Sequence, residues 1–302
     1  MSAYPEDLRA LVEQELAGLE FSTRTATAGL AEAMRYSLLA GGKRIRPVLC
    51  LASGCSVGTE PQSLLPAACA IELIHTYSLI HDDLPAMDDD DLRRGRPTSH
   101  VVYGEDVAIL AGDGLFAEAI RLFSEHQQGE PDRVLAALRE LVGATGVSGM
   151  VGGQYRDVTL STSDPAVPGR EAEETAGIDS VRELHSLKTG RLIAASVAIP
   201  LRLAGLGEAA TTPYLRFADE LGVLFQIVDD ILDVTGSDEE LGKPRGSDER
   251  HGKLTYVSLL GLERAQELAA QSHAKARAAL TEIPGDTADL ELITDFIHTR
   301  HR

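Results

Sequence analysis

The sequence is poor in the residues that build β-rich or disulfide-stabilised folds. Its 302 residues include no tryptophan, only 4% aromatic residues and three cysteines, Cys50, Cys55 and Cys69. An odd number of cysteines without metal-ligand spacing argues against a disulfide framework and is typical of buried thiols in a reducing compartment. No run of alternating apolar and polar residues is long enough to predict a sheet. The sequence therefore predicts an all-α fold.

Positive charge is also scarce. The chain carries 28 Lys and Arg residues against 47 Asp and Glu residues, which gives a formal net charge of −19. Nucleic acids and anionic lipid surfaces attract basic proteins, so neither is expected as a partner of this chain. Any anionic ligand must instead meet a local group of cations or a bound metal ion.

Long hydrophobic runs and targeting signals are missing as well. The most apolar stretch, residues 192–206, is interrupted by Pro200 and Arg202. It is shorter than the roughly 20 residues that a membrane span requires. The first ten residues lack the basic flank and apolar run of a signal peptide. A soluble, cytoplasmic protein without membrane insertion is predicted.

Helical periodicity covers most of the chain. In residues 214–232 apolar side chains recur at three- and four-residue steps, which indicates one buried face. A second row on that helix contains Gly222, Gln226, Asp229 and Asp233, so these polar groups share another face. Similar patterns predict helices over residues 5–19, 25–39, 64–83, 108–125, 132–149, 181–203 and 253–283.

Two stretches lack this periodicity. Residues 159–180 are rich in Ser, Thr, Pro, Gly and acidic residues, which predicts a long surface loop or a partly disordered insert. Residues 235–250 follow the helix that carries Asp229 and contain three glycines and a proline. No change of composition marks either stretch as a linker, so a single domain over residues 1–302 is predicted.

Aspartates cluster where two apolar helices end. The first cluster contains Asp82, Asp83 and Asp88, and the second contains Asp229 and Asp233. Like charges one helical turn apart destabilise a helix by a few tenths of a kcal/mol, about 0.2–0.5, unless a cation offsets them. Mg²⁺ binds carboxylate and phosphate oxygens together. Because Pro85 disfavours helix at Leu84, Asp88 is predicted to reach the site from a turn. One such cluster could be solvated surface charge, but two favour a metal site.

Between residues 41 and 256 the chain resembles the trans-prenyl diphosphate synthase family. Residues 79–95 are similar to the first aspartate-rich motif of that family, in the bacterial form with two extra residues, and residues 225–233 to the second. Three shorter motifs follow the family's order at residues 41–47, 152–157 and 188–190. Each is weak alone, since a Gly-Gly-Lys turn is commonly a plain basic loop. The resemblance implies an isoprenoid-synthase-type helical bundle with a central active-site cavity.

The resemblance also implies a reaction. A magnesium-assisted ionisation of dimethylallyl or geranyl diphosphate is followed by head-to-tail (1'-4) condensation with isopentenyl diphosphate and loss of a proton. The family uses about three Mg²⁺ ions per site, for which Mn²⁺ can substitute. The implied direct ligands are Asp82, Asp88 and Asp229, with Asp83 and Asp233 as neighbouring carboxylates.

The implied substrate contacts involve mainly basic side chains. Those assigned to the allylic diphosphate are Arg93, Lys188 and Lys243, and those assigned to isopentenyl diphosphate are Lys43, Arg46, His75 and Arg94. Oxygen dipoles toward the carbocation would come from Thr189, Gln226 and the Lys188 carbonyl. The basic end, residues 300–302, is a candidate for closing the site. A homodimer is also implied, without an identified face.

Product length is implied by Tyr77 and its neighbour Ser78. Tyr77 precedes Asp82 by five residues, hence about 7.5 Å along a helix axis. Relatives with an aromatic residue there and the two-residue insertion typically stop at fifteen carbons, so farnesyl diphosphate is the predicted product. The alternative is that Tyr77 is simply a core residue.

Several other functions compete with this one. Geranylgeranyl or geranyl diphosphate is the alternative product, and Arg191, where relatives often have a small or apolar residue, leaves substrate choice open. A class I terpene cyclase usually has an Asn/Ser/Glu second motif and lacks the Lys43, Arg46 and His75 group. A non-catalytic accessory subunit commonly loses an aspartate motif, and both are intact here. A calcium-binding protein is disfavoured because the twelve-residue calcium loop is absent.

Overall fold

A computed structural model describes residues 4–161, 177–236, 246 and 252–300, and it confirms the all-α prediction. The helices in chain order are α1 Glu6–Gly18, α2 Ala28–Leu38, α3 Ile45–Cys55, α4 Leu65–Asp82, α5 Ser99–Tyr103, α6 Glu105–His126, α7 Pro131–Thr145, α8 Met150–Ser161, α9 Ile178–His185, α10 Arg191–Ala204, α11 Glu208–Thr235, α12 Tyr256–Leu260, α13 Leu262–Leu280 and α14 Ala288–Thr299. Two short strands, β1 Leu92–Arg93 and β2 Arg96–Pro97, pair antiparallel.

The core surrounds α4, which is apolar on every side. Ile71, Leu73 and Ile74 on successive faces of α4 are all fully buried. A helix of this composition has to be enclosed by other helices. Helix α6 packs along α4, while α10 packs on α3 and α7, and α11 packs on α13. The arrangement is a single helical bundle.

Helix α4 ends where the first aspartate cluster begins. Pro85 disfavours helical geometry at Leu84 and has no backbone N–H to continue the ladder. The chain turns instead through residues 83–88, and the Asp88 backbone N–H donates to the Asp82 carbonyl at 2.9 Å. The prediction that Asp88 comes from a turn is therefore confirmed.

Two predicted boundaries are wrong. The predicted loop over residues 159–180 is too long at both ends, because α8 continues to Ser161 and α9 begins at Ile178. Val181 and Leu184 are buried one turn apart, and that apolar contact keeps α9 helical against the bundle. The rest of this loop lies outside the described residues. The single helix predicted over residues 253–283 is split at Gly261, whose φ of +81° separates α12 from α13.

Two helical stretches are long and apolar enough to cross a membrane by composition alone. They are Pro61–Asp82 and Pro131–Leu160, whose most apolar windows are 67% and 33% buried within the protein. The first is the core helix α4 with its preceding turn. Core helices of soluble proteins pass the same test, and burial in the core accounts for the composition of this first stretch.

Candidate active site

One cavity of about 1050 Å³ collects nearly all of the predicted site residues. Those that line it are Lys43, Arg46, His75, Tyr77, Ser78, Asp82, Asp88, Arg93, Arg94, Lys188, Thr189, Gln226, Asp229 and Asp233. The C-terminal halves of α4 and α11 supply both aspartate clusters to it. Asp83 is not part of the lining, and Lys243 lies outside the described residues.

Two lysines lie among the carboxylates of this cavity. Lys188 Nζ is 2.5 Å from Asp157 Oδ2 and 4.0 Å from Asp82 Oδ2. Lys253 Nζ is 2.7 Å from Asp88 Oδ2 and 3.7 Å from Asp157 Oδ2. Burial alone would raise the pKa of Asp157, but the two ammonium groups outweigh it and hold that pKa below its ordinary value. Asp157 is therefore a charged bridge between the lysines.

The pKa of Asp82 is shifted in the opposite direction from that of Asp157. Burial raises its pKa above the ordinary value, and the Asp88 carboxylate adds to this shift, although Lys188 opposes it. A buried carboxylate beside a like charge costs free energy unless further cations approach. Within the described ranges no three carboxylate, imidazole or thiol groups converge on one point. The donor set instead suits ions that each take one or two carboxylates and complete their shell with water and phosphate oxygens.

The Lys188 side chain is positioned by a turn of π-helix. Residues Ser186–Gly190 form this wide turn between α9 and α10. Such turns occur frequently at functional sites. Helix α8 approaches it closely at Gly153, where a Cβ atom would lie 2.2 Å from the Lys188 nitrogen. On the other side a Cβ at Gly222 of α11 would lie 3.2 Å from the Gly190 Cα. Glycine is required at residue 153 for this packing.

A chain of hydrogen bonds orients the predicted oxygen dipoles. Thr189 Oγ1 donates to Gln226 Oε1 at 3.1 Å, and Gln226 Nε2 donates to Asp230 Oδ1 at 2.7 Å. Asp230 is 1% exposed, and its second oxygen accepts from the Tyr256 backbone N–H at 2.7 Å. Asp230, at the end of this series of hydrogen bonds, thus orients the Gln226 amide so that the amide oxygen faces Thr189.

The predicted basic group lies at another wall of the cavity. Arg46 Nη1 is 3.4 Å from His75 Nε2, and burial lowers the pKa of Arg46 to about 10, so it stays charged at neutral pH. Burial, followed by the charge of Arg46, holds the pKa of His75 well below its ordinary value, so this imidazole is neutral. Arg46 Nε is buried without a hydrogen-bond partner in the described part of the chain. That donor fits an anionic ligand.

Arg94 completes this wall beside the Gly41 loop. Its guanidinium donates to the Gly41 carbonyl, and a Cβ at Gly42 would lie 2.7 Å from its central carbon. Gly42 has a φ of +122°, a conformation that favours glycine. The glycine pair therefore permits Lys43, Arg46 and Arg94 to face the same cavity.

The same loop is anchored by a buried ion pair. Arg44, with a left-handed φ of +53°, donates through Nη1 to Glu72 Oε1 at 2.6 Å and through Nε to Glu13 Oε1 at 2.8 Å. The Arg44 and Glu72 side chains are 0% and 2% exposed. Because Arg44 lies between Lys43 and Arg46, this pair holds both neighbours in place.

Arg93 lines the cavity and contacts two carboxylates of the first aspartate-rich motif. Its Nε donates to Asp83 Oδ1 at 2.6 Å, and its Nη2 lies 3.4 Å from Asp90 Oδ2. Burial raises the pKa of Asp83 to about 6 against the opposing charge of Arg93. Asp83 therefore faces Arg93 and not the cavity, because the helix turns away after Asp82.

The basic C-terminal end reaches the second aspartate cluster. Arg300 Nη2 donates to the Phe225 carbonyl at 3.2 Å and to Asp229 Oδ1 at 3.1 Å. Its guanidinium also stacks 4.3 Å from the centroid of the Phe225 ring. Arg300 thus lies at the cavity, while residues 301 and 302 are outside the described part.

His185 predicts a pH-dependent component of stability. Burial lowers its pKa to about 4, whereas the unfolded chain has the ordinary value of about 6.5. Between these values the unfolded chain binds the extra proton, so this component is fully present above pH of about 6.5 and is lost as the pH falls toward 4. We expect acidification from pH of about 7.5 to 4.5 to destabilise the wild type by about 2 kcal/mol more than His185→Phe.

Denaturant unfolding of both proteins at the two pH values provides the measurement. His185→Phe retains a ring against Tyr256, which stacks on His185 at 5.8 Å. Neither ring nitrogen of His185 has a hydrogen-bond partner among the residues with a described placement, so the substitution breaks no such bond. Parallel loss of stability in both proteins would contradict the assignment.

Sequence reasoning missed three contributors to this site. Lys253, which contacts Asp88 and Asp157, was assigned only to the start of a helix. The sequence feature around Lys253, a Gly-Lys pair before a helix, is too common to identify it as a site residue. Asp157 was noted in a motif without a role, and Asp230 was not separated from its neighbours. Only the three-dimensional contacts show that Asp230 binds the Gln226 amide and the Tyr256 backbone N–H.

The arrangement of two acidic helix ends around lysines, opposite a basic wall, has known counterparts. The sequence profile of Polyprenyl synthetase matches residues 27–292. The chain belongs to the polyprenyl synthetase family. A chloroplastic geranylgeranyl pyrophosphate synthase of Capsicum annuum is 45% identical over 271 residues, which cover 89% of this chain and 71% of that protein. The Arabidopsis thaliana geranylgeranyl pyrophosphate synthase 3 is 44% identical over 89% of this chain and 74% of its own.

Solved structures agree with this membership. A geranyltransferase from Helicobacter pylori, complexed with magnesium and isoprenyl diphosphate, superposes with a TM-score of 0.84 at 31% identity and covers 97% of this chain and 94% of its own. An FPP/GFPP synthase from Zymomonas mobilis has a TM-score of 0.84 at 32% identity, with 97% of both chains covered. This polyprenyl synthetase is a transferase, a prenyltransferase that uses isoprenyl diphosphates.

Proposed function

We propose that this enzyme condenses isopentenyl diphosphate head to tail with dimethylallyl and then geranyl diphosphate, and that it releases farnesyl diphosphate. The proposed condensation is supported by one observation: a single cavity has two walls of different chemistry, and each could bind an anionic group. One wall presents carboxylates with Lys188 and Lys253, and the other presents Lys43, Arg46 and Arg94 beside Glu72, whose carboxylate is already paired with Arg44. Two diphosphates of different roles fit these two walls.

The acidic wall fits Mg²⁺. Hard oxygen donors suit this ion, and the cavity offers them from both helix ends through Asp82, Asp88, Asp229 and Asp233. About three ions, with Mn²⁺ as a substitute, would account for a fully ionised diphosphate. When bound, the ions neutralise the departing diphosphate and so assist its ionisation.

The chain's own residues bind and orient the substrates. Lys188 and Lys253, together with Arg93 and Lys243, would hold the allylic diphosphate, while Arg46 and Arg94 would bind the second diphosphate through bidentate donation. Thr189 and Gln226 line the cavity and are held by Asp230, and their oxygen atoms would stabilise the positive charge that develops on the carbon chain. Arg300 at the cavity mouth would help to exclude water.

Tyr77 supports the farnesyl product. Its ring is 8% exposed and lines the cavity on α4, five residues before Asp82. Its position is thus about 7.5 Å along the axis from the acidic end, where it would meet the growing hydrocarbon. Burial and the charge of Asp82 raise the pKa of its hydroxyl to about 12, so the ring remains neutral.

Product identification by mass spectrometry tests the proposal. The purified chain would be incubated with dimethylallyl diphosphate, isopentenyl diphosphate and Mg²⁺, and a fifteen-carbon diphosphate is the expected main product. A cyclised hydrocarbon would indicate terpene cyclase activity, and failure to consume isopentenyl diphosphate would indicate an accessory subunit. Either result would contradict the proposal.

The second candidate product is geranylgeranyl diphosphate. The relatives from Capsicum and Arabidopsis are named for it, and they are 45% and 44% identical to this chain. The same assay separates the two, since a twenty-carbon main product would favour this candidate.

Replacing Tyr77 with alanine is expected to lengthen the product. Removal of the ring opens the wall of the cavity behind Ser78, so the dominant product should shift from fifteen to twenty carbons or more. A product change of this kind reflects differences of about 1–3 kcal/mol between competing transition states, or roughly 10- to 200-fold in ratio. Product analysis with Tyr77→Phe, which keeps the ring, as the control measures it, and an unchanged distribution for Tyr77→Ala would remove Tyr77 from the length assignment.

We further propose a cytoplasmic homodimer. Three consecutive helices that pack on one another, α5, α6 and α7, carry large apolar side chains that are 39–55% exposed: Val101, Val102, Ile109, Leu110, Phe116, Leu135 and Val142. Exposed apolar residues on adjacent elements are typical of association surfaces, and self-association is the commonest use.

A further inference from the structure

The Lys43 side chain is backed by an aromatic ring from α14. Its Nζ atom lies over the Phe296 ring, 5.4 Å from the ring centroid. Lys43 lines the cavity, whereas Phe296 is half-buried against the core and is not part of the lining. The ring therefore lies behind the ammonium group, and the cavity lies in front of it. An ammonium group has three N–H donors, so the ring leaves donors for an anion in the cavity.

Tyr4, just before α1, supports both the backbone of Lys43 and the ring behind it. The Tyr4 hydroxyl donates to the Lys43 backbone carbonyl at 3.0 Å. The Tyr4 ring packs tilted against the Phe296 ring, with centroids 4.8 Å apart and an interplanar angle of 60°. Tyr4 is only 5% exposed, and burial raises the pKa of its hydroxyl far above the ordinary value. The hydroxyl therefore keeps its proton and remains a hydrogen-bond donor.

The neighbouring cation of the same wall is backed in the same way. The Arg46 guanidinium lies over the Phe225 ring, 5.4 Å from the ring centroid. Only 4% of the residues in this chain are aromatic, yet a ring lies behind each of these two cations. Long basic side chains lose rotamer freedom when they bind an anion, and this loss weakens binding less when the side chain is already held in place. The rings therefore preorganise the basic wall.

We infer that Phe296 and Tyr4 are positioning residues for isopentenyl diphosphate, because they hold Lys43 in place for the diphosphate group of that substrate. The inference rests on the proposed function, which assigns Lys43 to isopentenyl diphosphate. The face of the Phe296 ring attracts the ammonium group, and Tyr4 fixes the backbone from which the side chain extends. Both residues act through Lys43, so they affect the affinity for one substrate and not the chemical step.

Phe296→Leu tests the inference by separating the kinetic constants. Leucine keeps an apolar side chain but removes the aromatic face, so KM for isopentenyl diphosphate should rise by about 3- to 20-fold. The kcat at saturation and the KM for geranyl diphosphate should stay within about twofold of the wild-type values. Phe296→Tyr keeps the aromatic face and should restore the wild-type KM. A loss of kcat alone, or equal rises of both KM values, would contradict the positioning role.

A double-variant cycle with Lys43→Met shows whether Phe296 acts through Lys43. Methionine keeps an unbranched side chain but has no charge for the ring to attract. Phe296→Leu should therefore raise KM for isopentenyl diphosphate little further in the Lys43→Met background. Phe296 also lies one helical turn before Arg300, which contacts Asp229. An equal rise of KM in both backgrounds would show that Phe296 acts by another route, and it would overturn the inference.

Tyr4→Phe tests the second contact with Lys43. It removes only the hydroxyl that donates to the Lys43 carbonyl, so KM for isopentenyl diphosphate should rise by about 2- to 10-fold. This variant decides the question if Phe296→Leu proves insoluble, and an unchanged KM would then overturn the inference.

Phe21→Leu is the matched control for the loss of a ring. Phe21 is also half-buried against the core, but it is not part of the cavity lining, so this variant should keep the wild-type KM. A rise as large as that of Phe296→Leu would assign the effect to general loosening of the fold and contradict the inference. A wild type that consumes no isopentenyl diphosphate would overturn the proposed function as well. Normal consumption with an unchanged KM in Phe296→Leu would overturn this inference alone.

Discussion

Asp82→Ala and Asp229→Ala are each expected to lower turnover by about 10³-fold or more, because the loss of one metal-holding carboxylate removes several kcal/mol of transition-state stabilisation. Both side chains line the cavity at the ends of α4 and α11. The fold should survive, since burial raises the pKa of Asp82 and its charged carboxylate stabilises little by itself. Initial rates of isopentenyl diphosphate incorporation and thermal unfolding curves provide the two measurements.

Asp91→Asn controls for the loss of a charge from the first cluster. Asp91 belongs to the same acidic run, but its side chain is 84% exposed and lies 4.0 Å from the His100 ring nitrogen. Its turnover should stay near the wild-type value. A rate near normal for Asp82→Ala or Asp229→Ala would refute the assignment of these two residues.

Glu72→Ala is expected to give the largest loss of stability, about 3–5 kcal/mol, because it leaves the Arg44 guanidinium buried without its main partner. The two side chains are 2.6 Å apart and almost completely buried. The free energy of unfolding from urea denaturation measures the loss. Since Arg44 positions the loop that carries Lys43 and Arg46, the KM for isopentenyl diphosphate should also rise.

Glu13→Ala tests whether the partly exposed ion pair of Arg44 contributes less to stability than the buried one. Glu13 contacts the same guanidinium at 2.8 Å, but its side chain is 33% exposed. Ion pairs that reach solvent contribute about 1 kcal/mol or less. Equal losses from Glu13→Ala and Glu72→Ala would show that burial does not determine the strength of these contacts.

The parts of the fold that could be predicted are those with an amphipathic pattern. Helices α1, α4 and α6 lie within a few residues of their predicted bounds, because each shows three- and four-residue periodicity or a long apolar run, while α11 begins at Glu208, before its predicted range of 214–232. The all-α class followed from the lack of alternating strands. Both aspartate clusters were predicted at helix ends, and the structure brings Asp82 and Asp229 to one cavity.

Helices without that pattern were missed for physical reasons. In α3, residues 45–54 are all buried, so no polar face reveals the helical period. Helix α8 carries Gly152 and Gly153, which have low helix propensity, in its first turn, and the close packing of Gly153 on Lys188 explains the second of them. Such tertiary contacts cannot be predicted from the sequence pattern, and for the same reason the role of Lys253 was not predicted.

The lysines of the acidic wall have a consequence for how ligands enter. Lys188 and Lys253 already act as counterions of Asp82, Asp88 and Asp157, so part of the negative charge of this wall is compensated within the folded protein. A divalent ion that takes a carboxylate leaves an ammonium group to be compensated, and a diphosphate that takes an ammonium group leaves a carboxylate. Binding of the divalent ion therefore favours binding of the diphosphate, and the reverse also holds. Loading of the enzyme is an exchange of partners, in which ion and diphosphate should bind together far more tightly than either does alone.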